Sequence, residues 1–277
     1  MESKEANLTS SNGKALLFDM DGTLTEARRK ISGDAVQMLK TLTDKGYLVC
    51  VVSGSPYHYI HEQLKLGSVK YSSNLYIMPC NGTQIYSQSV SEGNYEQTYK
   101  VTMRDHLAAH SSLSEPHKEL VHNILELQLY AMRRYDFPTT GNFVSDRGSM
   151  INWSPIGRDA SHEVRATFSA EDNEKSLRKH LCDCLRVRLD DSDLRTTDLA
   201  LGGSTSIDIF PQGWDKTYAL RHIDPQVKVW FWGDKCQPGG NDHTLWAQLQ
   251  SESRSFEVKS PDETLRSVRE LIDKGVL

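Results

Sequence analysis

The 277-residue sequence has few cysteines, no long apolar run and no excess of positive charge. Its five cysteines show no paired spacing, so we expect no disulfide framework and predict a reducing, cytoplasmic compartment. No apolar run approaches the ~18 residues that span a membrane, so no membrane association is expected. Because 32 Lys and Arg residues are outnumbered by 37 Asp and Glu residues, the chain lacks the overall field of a nucleic-acid-binding protein.

Apolar runs of strand length alternate with helical patterns at both ends of the chain. Residues 14–19 and 47–52 are typical of buried strands, and residues 31–44 between them carry apolar side chains at helical spacing. A strand, helix, strand unit of this kind predicts parallel strands. The same alternation returns after Pro211, with a dense apolar run over 226–232. Both ends therefore belong to one α/β core.

The middle of the chain has a different pattern, in which helices alternate with pairs of short strands. The predicted helices cover 116–135 and 173–185, and the predicted strands cover 142–145, 150–153, 194–201 and 204–210. Such an order is typical of a small α+β module. We predict a parallel-sheet core made of residues 1–90 and 212–277, with an inserted α+β cap domain at 91–211.

The segment Asp19-Met20-Asp21-Gly22-Thr23 follows the first predicted strand and carries the sharpest chemical signal. A carboxylate at this position can attack phosphorus and form an aspartyl phosphate, which assigns Asp19 as a candidate nucleophile. Asp21, two residues on, is the candidate general acid and base. Gly22 permits a tight turn, and Thr23 is expected to orient Asp21.

Polar residues also follow the other predicted core strands. Ser53 and Ser55 come after the second strand, where hydroxyl and backbone N–H groups can hold a phosphate. Lys216 opens a helix and can neutralise a phosphorylated Asp19. Asp234 ends a later strand and suits Mg²⁺, which prefers oxygen ligands. Asp242 is expected either to hold the following loop in place or to contact the residues that ligate the metal, without ligating it itself.

The predicted cap carries a second set of candidate residues. Arg147, Arg158 and Arg165 can clamp a phosphate if the fold brings them together. Ser206 and Asp208 share one face of a strand and can bind sugar hydroxyls. On composition alone, the same residues also fit an ordinary solvated surface.

Together these segments resemble the haloacid dehalogenase (HAD) superfamily of phosphotransferases and, within it, the eukaryotic-type phosphomannomutases. The matching segments are 18–25, 28–31, 147–158, 202–203, 206–211, 213–216, 233–235 and 238–243. They occur in family order and extend over nearly the whole chain from Lys14 onward. Ser53 departs from the family, which has a glycine there, and is nearer the phosphatase pattern.

The resemblance implies a HAD-like Rossmannoid core with a cap that lies over the active site and determines substrate specificity. It implies that Asp19 is the phosphorylated nucleophile and Asp21 the acid and base. It places Mg²⁺ on Asp19, on the backbone carbonyl of Asp21 and on Asp234. It assigns substrate contacts to Arg28, Arg147, Arg158, Arg165, Ser206 and Asp208. It further implies a hexose 1,6-bisphosphate activator and a homodimer formed through the caps.

The sequence therefore predicts an isomerase acting on a small phosphosugar. The expected reaction interconverts mannose 6-phosphate and mannose 1-phosphate, the precursor of GDP-mannose, through an aspartyl phosphate and a hexose 1,6-bisphosphate. The first alternative is a Mg²⁺-dependent sugar-phosphate phosphatase of the same superfamily, in which water discharges phospho-Asp19. The second is a non-catalytic protein that binds sugar phosphates, which the combined presence of Asp19, Asp21, Lys216 and Asp234 argues against.

Overall fold

The computed structural model describes residues 6–89 and 94–277, which form two compact units. The first unit contains the described residues up to Lys100 together with Trp214–Pro238 and Asp242–Leu277. The second contains Val101–Gly213 and Gly239–Asn241. The predicted boundary between residues 90 and 91 lies outside the described residues. The division into a core at 1–90 and 212–277 and a cap at 91–211 stays a prediction.

The first unit is built on a seven-stranded sheet. The strands and helices of the described residues are, in chain order, β1 (Lys14–Phe18), α1 (Gly33–Asp44), β2 (Leu48–Val52), α2 (Tyr57–Gln63), β3 (Leu75–Met78), β4 (Gln84–Gln88), β5 (Tyr95–Lys100), α3 (Met103–His110), α4 (Pro116–Arg134), β6 (Val144–Asp146), β7 (Ile151–Trp153), α5 (His162–Lys175), α6 (Leu177–Asp190), β8 (Thr197–Gly202), β9 (Ser206–Pro211), β10 (Lys228–Gly233), α7 (His243–Gln250), β11 (Ser255–Glu257) and α8 (Pro261–Asp273). Short 3₁₀ helices cover Cys80–Gly82 and Lys216–His222. The sheet order is β11-β10-β1-β2-β3-β4-β5.

Four neighbouring strand pairs of this sheet, from β11 to β3, are parallel, and β4 and β5 continue it antiparallel. β2 is buried along its whole length, and β1 is buried beyond its first residue, because helices cover both faces of a parallel sheet. Helix α1 begins where the Ser32 hydroxyl accepts the Ala35 N–H at 3.2 Å. Its buried Leu39 and Leu42 join the core next to β1 and β2. The predicted α/β class with a parallel sheet is confirmed.

The second unit is a four-stranded antiparallel sheet with helices packed against it. The sheet order is β6-β7-β9-β8. Helix α4 buries Leu120, Ile124 and Leu127, which share a core with Leu181 and Leu185 of α6. This spacing of three and four residues is the apolar stripe that the sequence shows for α4. The unit therefore has a core of its own.

The single helix predicted over 173–185 is wrong. The structure has two helices there, α5 and α6, separated by Ser176 with a left-handed φ of +54°. Ser161 caps the start of helix α5, and its hydroxyl accepts the Val164 N–H at 3.3 Å. It buries Phe168 but few other apolar side chains, so its sequence has only a weak helical stripe.

Three further elements lack a strong sequence pattern. Strands β4 and β5 and helix α3 carry few buried apolar residues. β5 lies at the edge of its sheet, where polar side chains are tolerated on an exposed strand. Among residues 6–89 and 94–277, no helix combines the length and the apolar character that crossing a membrane requires.

Candidate active site

The loops that follow β1, β2, β3 and β10 meet at one edge of the first unit's sheet. The backbone N–H of Asp19 donates to the carbonyl of Trp232 at 2.9 Å, and that of Ser53 donates to Met78 at 3.2 Å. Asn81 in turn donates its N–H to the carbonyl of Ser53 at 3.0 Å. The carboxyl ends of parallel strands form the edge where ligands bind in open α/β sheets. The sequence motifs after these strands are therefore brought together.

Lys216 is the centre of a buried ion cluster at this edge. Its side chain is fully buried, and its ammonium group contacts one carboxylate oxygen of Asp19 and one of Asp242. The other oxygen of Asp242 accepts the Lys235 N–H at 2.9 Å. Asp242 thus fixes both Lys216 and the loop after β10, while Asp19 keeps only the bond to Lys216 among the described side chains.

Burial and mutual charge set the protonation of this cluster. Burial raises the pKa of Asp19 well above its usual value, and Lys216 offsets only part of that rise. Burial alone would lower the pKa of Lys216, but attraction to Asp19 and Asp242 outweighs it and raises that pKa. Lys216 is therefore a permanent positive charge next to Asp19.

Asp234 completes a group of three carboxylates. One carboxylate oxygen from each of Asp19, Asp234 and Asp242 lies within 4.8 Å of the other two. Gly22 has a φ of +91°, and a Cβ there would lie 2.5 Å from Oδ2 of Asp234, so the turn requires glycine. Burial, together with the charge of Asp242, raises the pKa of Asp234 to about 6. Crowded, partly desolvated carboxylates of this kind favour a bound cation.

Asp21 is oriented by groups that the sequence does not single out. Its Oδ1 accepts the Tyr59 hydroxyl at 2.9 Å and the Arg28 N–H at 3.0 Å. Burial raises the pKa of Asp21, and these two donors oppose that rise. The prediction that Thr23 orients Asp21 is wrong. The buried Thr23 hydroxyl finds no partner among the described residues, and the Thr23 carbonyl accepts the Thr264 hydroxyl at 2.8 Å.

The loop after β2 is closed by its own serines. Oγ of Ser53 accepts the Ser55 N–H at 3.1 Å, so the Ser53 hydroxyl stabilises a turn next to the ion cluster. Cys80, Asn81 and Gly82 follow β3 in a left-handed turn with φ values of 49°, 65° and 90°. The Asn81 side-chain amide donates to the carbonyl of Trp214 at 3.1 Å, which holds the chain two residues before Lys216.

The second unit holds a separate polar cluster centred on Asn152. The Asn152 amide donates to Oδ1 of Asp208 at 2.6 Å, and its own carbonyl oxygen accepts from Arg158. Arg147 lies 3.9 Å from the same oxygen of Asp208. Asn152 and Asp208 are direct neighbours on β7 and β9, which explains how distant segments converge. The sequence does not reveal this bridging role of Asn152.

Arg165 is bound to the backbone of the same cluster. It donates to the carbonyl of Arg158 at 2.6 Å, to that of Ala160 at 3.0 Å and to the Thr205 hydroxyl at 2.6 Å. Ser206 begins β9, and Asp208 follows it on the same face. Arg147, Arg158, Arg165 and Asp208 are thus brought together within the second unit. Their substrate-binding roles, like those predicted for the first unit, stay predictions.

Comparisons with known proteins bear on the family of this chain. Residues 36–274 match the family described as eukaryotic phosphomannomutase. The chain is 33% identical to phosphomannomutase 1 of Mus musculus over 92% of its own length and 90% of that protein's. It is 34% identical to a phosphomannomutase of Glycine max, with coverage of 94% and 96%.

A solved structure supports the fold independently. The N-terminally truncated IMP-nucleotidase of Plasmodium falciparum superimposes with a TM-score of 0.62, covering 94% of this chain and 70% of that one. At 14% identity this likeness concerns the fold alone. The family match extends over most of the chain, and the curated relatives are similar along nearly their whole length. The chain belongs to the eukaryotic phosphomannomutase family, within the HAD superfamily.

Proposed function

We propose that the chain interconverts mannose 6-phosphate and mannose 1-phosphate. The observation that carries the proposal is the buried contact of Lys216 with Asp19 at the carboxyl edge of the sheet. A carboxylate held there next to a fixed positive charge is suited to accept a phosphoryl group. Family membership, shared with relatives named phosphomannomutases, supplies the substrate class.

Asp19 is the residue that carries the phosphoryl group in the proposed cycle. Phospho-Asp19, formed from a hexose 1,6-bisphosphate activator, transfers its phosphoryl group to the free hydroxyl of the hexose monophosphate. The bond from phosphorus to the Asp19 oxygen breaks as the bond to the sugar oxygen forms. The resulting bisphosphate turns end for end, and Asp19 then attacks its other phosphate, which leaves the isomeric monophosphate.

Asp21 and Lys216 assist both transfers. Asp21 accepts the proton of the attacking hydroxyl and returns it to the leaving sugar oxygen in the second transfer, a role typically worth ~10²–10⁴-fold in rate. Lys216 stabilises the negative charge on the transferring group. Phosphoryl transfer has a loose transition state, so positioning and charge stabilisation supply most of the catalysis.

Each unit carries its own set of proposed substrate contacts. In the second unit, the guanidinium groups of Arg147 and Arg158 take a phosphate, and Arg165 donates to the backbone carbonyl of Arg158. Asp208, next to Ser206 on β9, accepts sugar hydroxyls. In the first unit, Arg28 and the Ser53–Ser55 turn contribute phosphate contacts. The left-handed φ of Arg28, +62°, marks a strained backbone at this position.

Mg²⁺ fits the carboxylates of the first unit. Both oxygens of Asp242 are engaged by Lys216 and the Lys235 N–H, which leaves Asp19 and Asp234 as the side chains that would hold the ion. The backbone carbonyl of Asp21 is the third proposed ligand. Bound there, Mg²⁺ supplies positive charge that polarises the phosphoryl oxygens.

Product analysis tests the proposed reaction. Mannose 1-phosphate and a trace of hexose 1,6-bisphosphate are incubated with the protein and Mg²⁺, and both products are quantified. A mutase gives mannose 6-phosphate with little inorganic phosphate, whereas a sugar-phosphate phosphatase gives inorganic phosphate in proportion to substrate consumed. Glucose 1-phosphate in a parallel reaction measures the preference between the hexoses. Release of phosphate without isomerisation would contradict the proposal.

Stabilisation of the protein by Mg²⁺ is expected to increase with pH between about 5 and 7. Without metal, the folded-state pKa of Asp234 is about 6, against an ordinary value of 3.8. The folded state therefore holds this proton more tightly, and the metal-free protein loses the associated stability as the pH rises from about 4 to about 6. At pH 5 the Mg²⁺ ion must displace the proton on Asp234, whereas at pH 7 Asp234 is already a free carboxylate. Thermal unfolding with and without Mg²⁺ at each pH measures the effect.

The Asp234→Asn variant is the control for that series. It should lose most of the stabilisation by Mg²⁺ at pH 7, because one of the two proposed carboxylate ligands is gone. A Mg²⁺ effect that is the same at pH 5 and pH 7, or one that Asp234→Asn retains in full, would place the ion elsewhere.

A homodimer formed through the second unit is a further part of the proposal. Leu125, Leu129 and Met132 are 45%, 55% and 42% exposed and share one face of α4. An exposed apolar stripe of this kind favours an interface. We expect Leu129→Glu to shift the protein from dimer to monomer in light scattering. Val276→Glu, at a 40% exposed apolar residue of the first unit, should leave the dimer intact.

The cytosol is the proposed compartment. Five cysteines without paired spacing fit a reducing environment, in which thiols persist. Burial raises the pKa of the Cys50 thiol and the pKa of the Cys236 thiol, so both stay protonated and unreactive. Fractionation of cells that express the tagged full chain tests the location.

A further inference from the structure

Both hydrogen bonds to the Asp21 carboxylate fall on the same oxygen. The Tyr59 hydroxyl and the Arg28 N–H donate to Oδ1 at 2.9 and 3.0 Å. In the described part of the chain, no group donates to Oδ2 of Asp21. Two donors from different directions fix the rotation of a carboxylate about its Cβ–Cγ bond and occupy the lone pairs of one oxygen. The other oxygen is left as the one that can exchange a proton.

Tyr59 itself is held firmly by helix α2. The helix buries Ile60 and Gln63, and the carbonyl of Gln63 accepts the Ile31 N–H at 2.8 Å. Tyr57, two residues before Tyr59, stacks on Tyr86 with ring centroids 3.7 Å apart. Because these contacts fix the helix, the Tyr59 hydroxyl reaches Asp21 from a rigid base, 38 residues away in sequence.

We propose that Tyr59 is a positioning residue that fixes the Asp21 carboxylate so that Oδ2 faces the reacting sugar oxygen. The inference rests on the proposed function, in which Asp21 transfers the proton. Tyr59 does not touch the substrate in this account and acts through Asp21 alone. Without its hydroxyl, the carboxylate is held by the Arg28 N–H only, and a smaller fraction of molecules has the productive rotation.

The structure also allows a simpler role, in which Tyr59 only fills space. It is partly buried, and its ring packs against the main core of the first unit. Replacement by phenylalanine separates the two roles, because it keeps the ring and removes only the hydroxyl. A space-filling residue would tolerate that change in activity as well as in stability.

The experiment compares Tyr59→Phe with Tyr57→Phe under mutase assay conditions. Tyr57 lies on the same helix and makes no described hydrogen bond to Asp21. The Tyr57→Phe variant should therefore have the same kcat as the natural protein. Tyr59→Phe should lower kcat by about 10- to 100-fold, the range for losing a hydrogen bond to a charged group. KM for mannose 1-phosphate should stay nearly constant, because the group that is lost orients a proton-transfer residue and binds no substrate. Thermal unfolding should show both variants folded.

A second comparison, made in the Asp21→Ala variant, tests whether Tyr59 acts through Asp21 or independently of it. In Asp21→Ala, the additional Tyr59→Phe change should have no further effect on kcat, since the residue that it positions is already gone. The residual rate of Asp21→Ala should remain measurable, given the usual size of general acid–base effects. The inference is supported if Tyr59→Phe lowers kcat in the natural protein but does not lower it further in the Asp21→Ala variant.

The other outcomes overturn distinct statements. If Asp21→Ala loses activity but Tyr59→Phe does not, the proposed function stands and the positioning role of Tyr59 is wrong. If the two losses multiply in the double variant, Tyr59 acts independently of Asp21, and the inference is again wrong. If Asp21→Ala retains full turnover, the acid–base part of the proposed function fails, and the role of Tyr59 fails with it.

Discussion

Replacing Asp19 with asparagine is expected to lower mutase turnover by at least about 10⁴-fold, because an amide cannot form the aspartyl phosphate. Asparagine has nearly the same shape as aspartate, so the change removes the nucleophile with little effect on packing. The measurement is twofold: the rate of mannose 6-phosphate formation, and incorporation of labelled phosphate from a hexose 1,6-bisphosphate after an acid quench. Both should be lost together.

The same substitution should leave the fold as stable as before or more so. Burial raises the pKa of Asp19 well above its usual value even with Lys216 beside it. At neutral pH the charged carboxylate is therefore less stable in the folded protein than in the unfolded chain. Asparagine removes that charge, and Lys216 keeps its contact with Asp242. We expect an equal or higher melting temperature, the usual relation where an active site holds an unfavourable charge.

An exposed carboxylate provides the control for Asp19→Asn. Asp34 lies in the first turn of α1 and is exposed. Asp34→Asn should keep full activity and lose only the small stabilisation that an acidic residue gives near a helix N-terminus, typically about 0.3–1 kcal/mol. Labelled phosphate that remains attached to the Asp19→Asn protein would move the nucleophile to another residue.

The parts of the site that the sequence predicts best are those that follow buried strands. Asp19 and Asp234 each end an apolar run, and parallel strands place their carboxyl ends at one edge whatever the details of packing. That rule brings these residues together without any knowledge of distances. Lys216 is a candidate from the sequence because it opens a helical pattern soon after the predicted cap, and the structure has a 3₁₀ helix beginning there.

Contacts between side chains of separate elements could not be predicted in this way. Tyr59 reaches Asp21 because α2 is rotated to face the loop after β1, and the rotation depends on how Ile60 and Gln63 pack. Thr23 looked better placed in sequence, yet its buried side chain finds no partner in the described ranges. Proximity along the chain is thus a poor guide to which residue orients a catalytic carboxylate.

The second unit shows the same limit in a polar cluster. Arg158 and Asp208 are recognisable from their residue types as candidate substrate-binding residues. Asn152 joins them only because β7 and β9 pair in a register that sets Asn152 opposite Asp208. A strand as short as the three residues of β7 leaves that register unspecified in the sequence.

Replacing Lys216 with methionine is expected to destabilise the protein by about 3–5 kcal/mol, the range for breaking a buried ion pair by removing one partner. Methionine fills similar space but leaves the carboxylates of Asp19 and Asp242 buried without their counter-charge. Turnover should also be largely lost, because no positive side chain of the described residues then remains in contact with Asp19. Thermal unfolding and the mutase assay measure the two effects.

The pH dependence of that loss separates charge from packing. The destabilisation should be larger at pH 8 than at pH 5. At lower pH the buried Asp19 carboxylate is more readily protonated, because burial has already raised its pKa, so the difference from the natural protein should shrink as the pH falls. Lys235→Met is the matched control, because Lys235 also pairs with a carboxylate, at 3.6 Å from Asp234, but is exposed to solvent. It should change the free energy of unfolding by about 0–1 kcal/mol. A loss in Lys216→Met that is equal at both pH values would mean that Lys216 stabilises the fold by packing alone, and its role as the counter-charge of Asp19 would then be wrong.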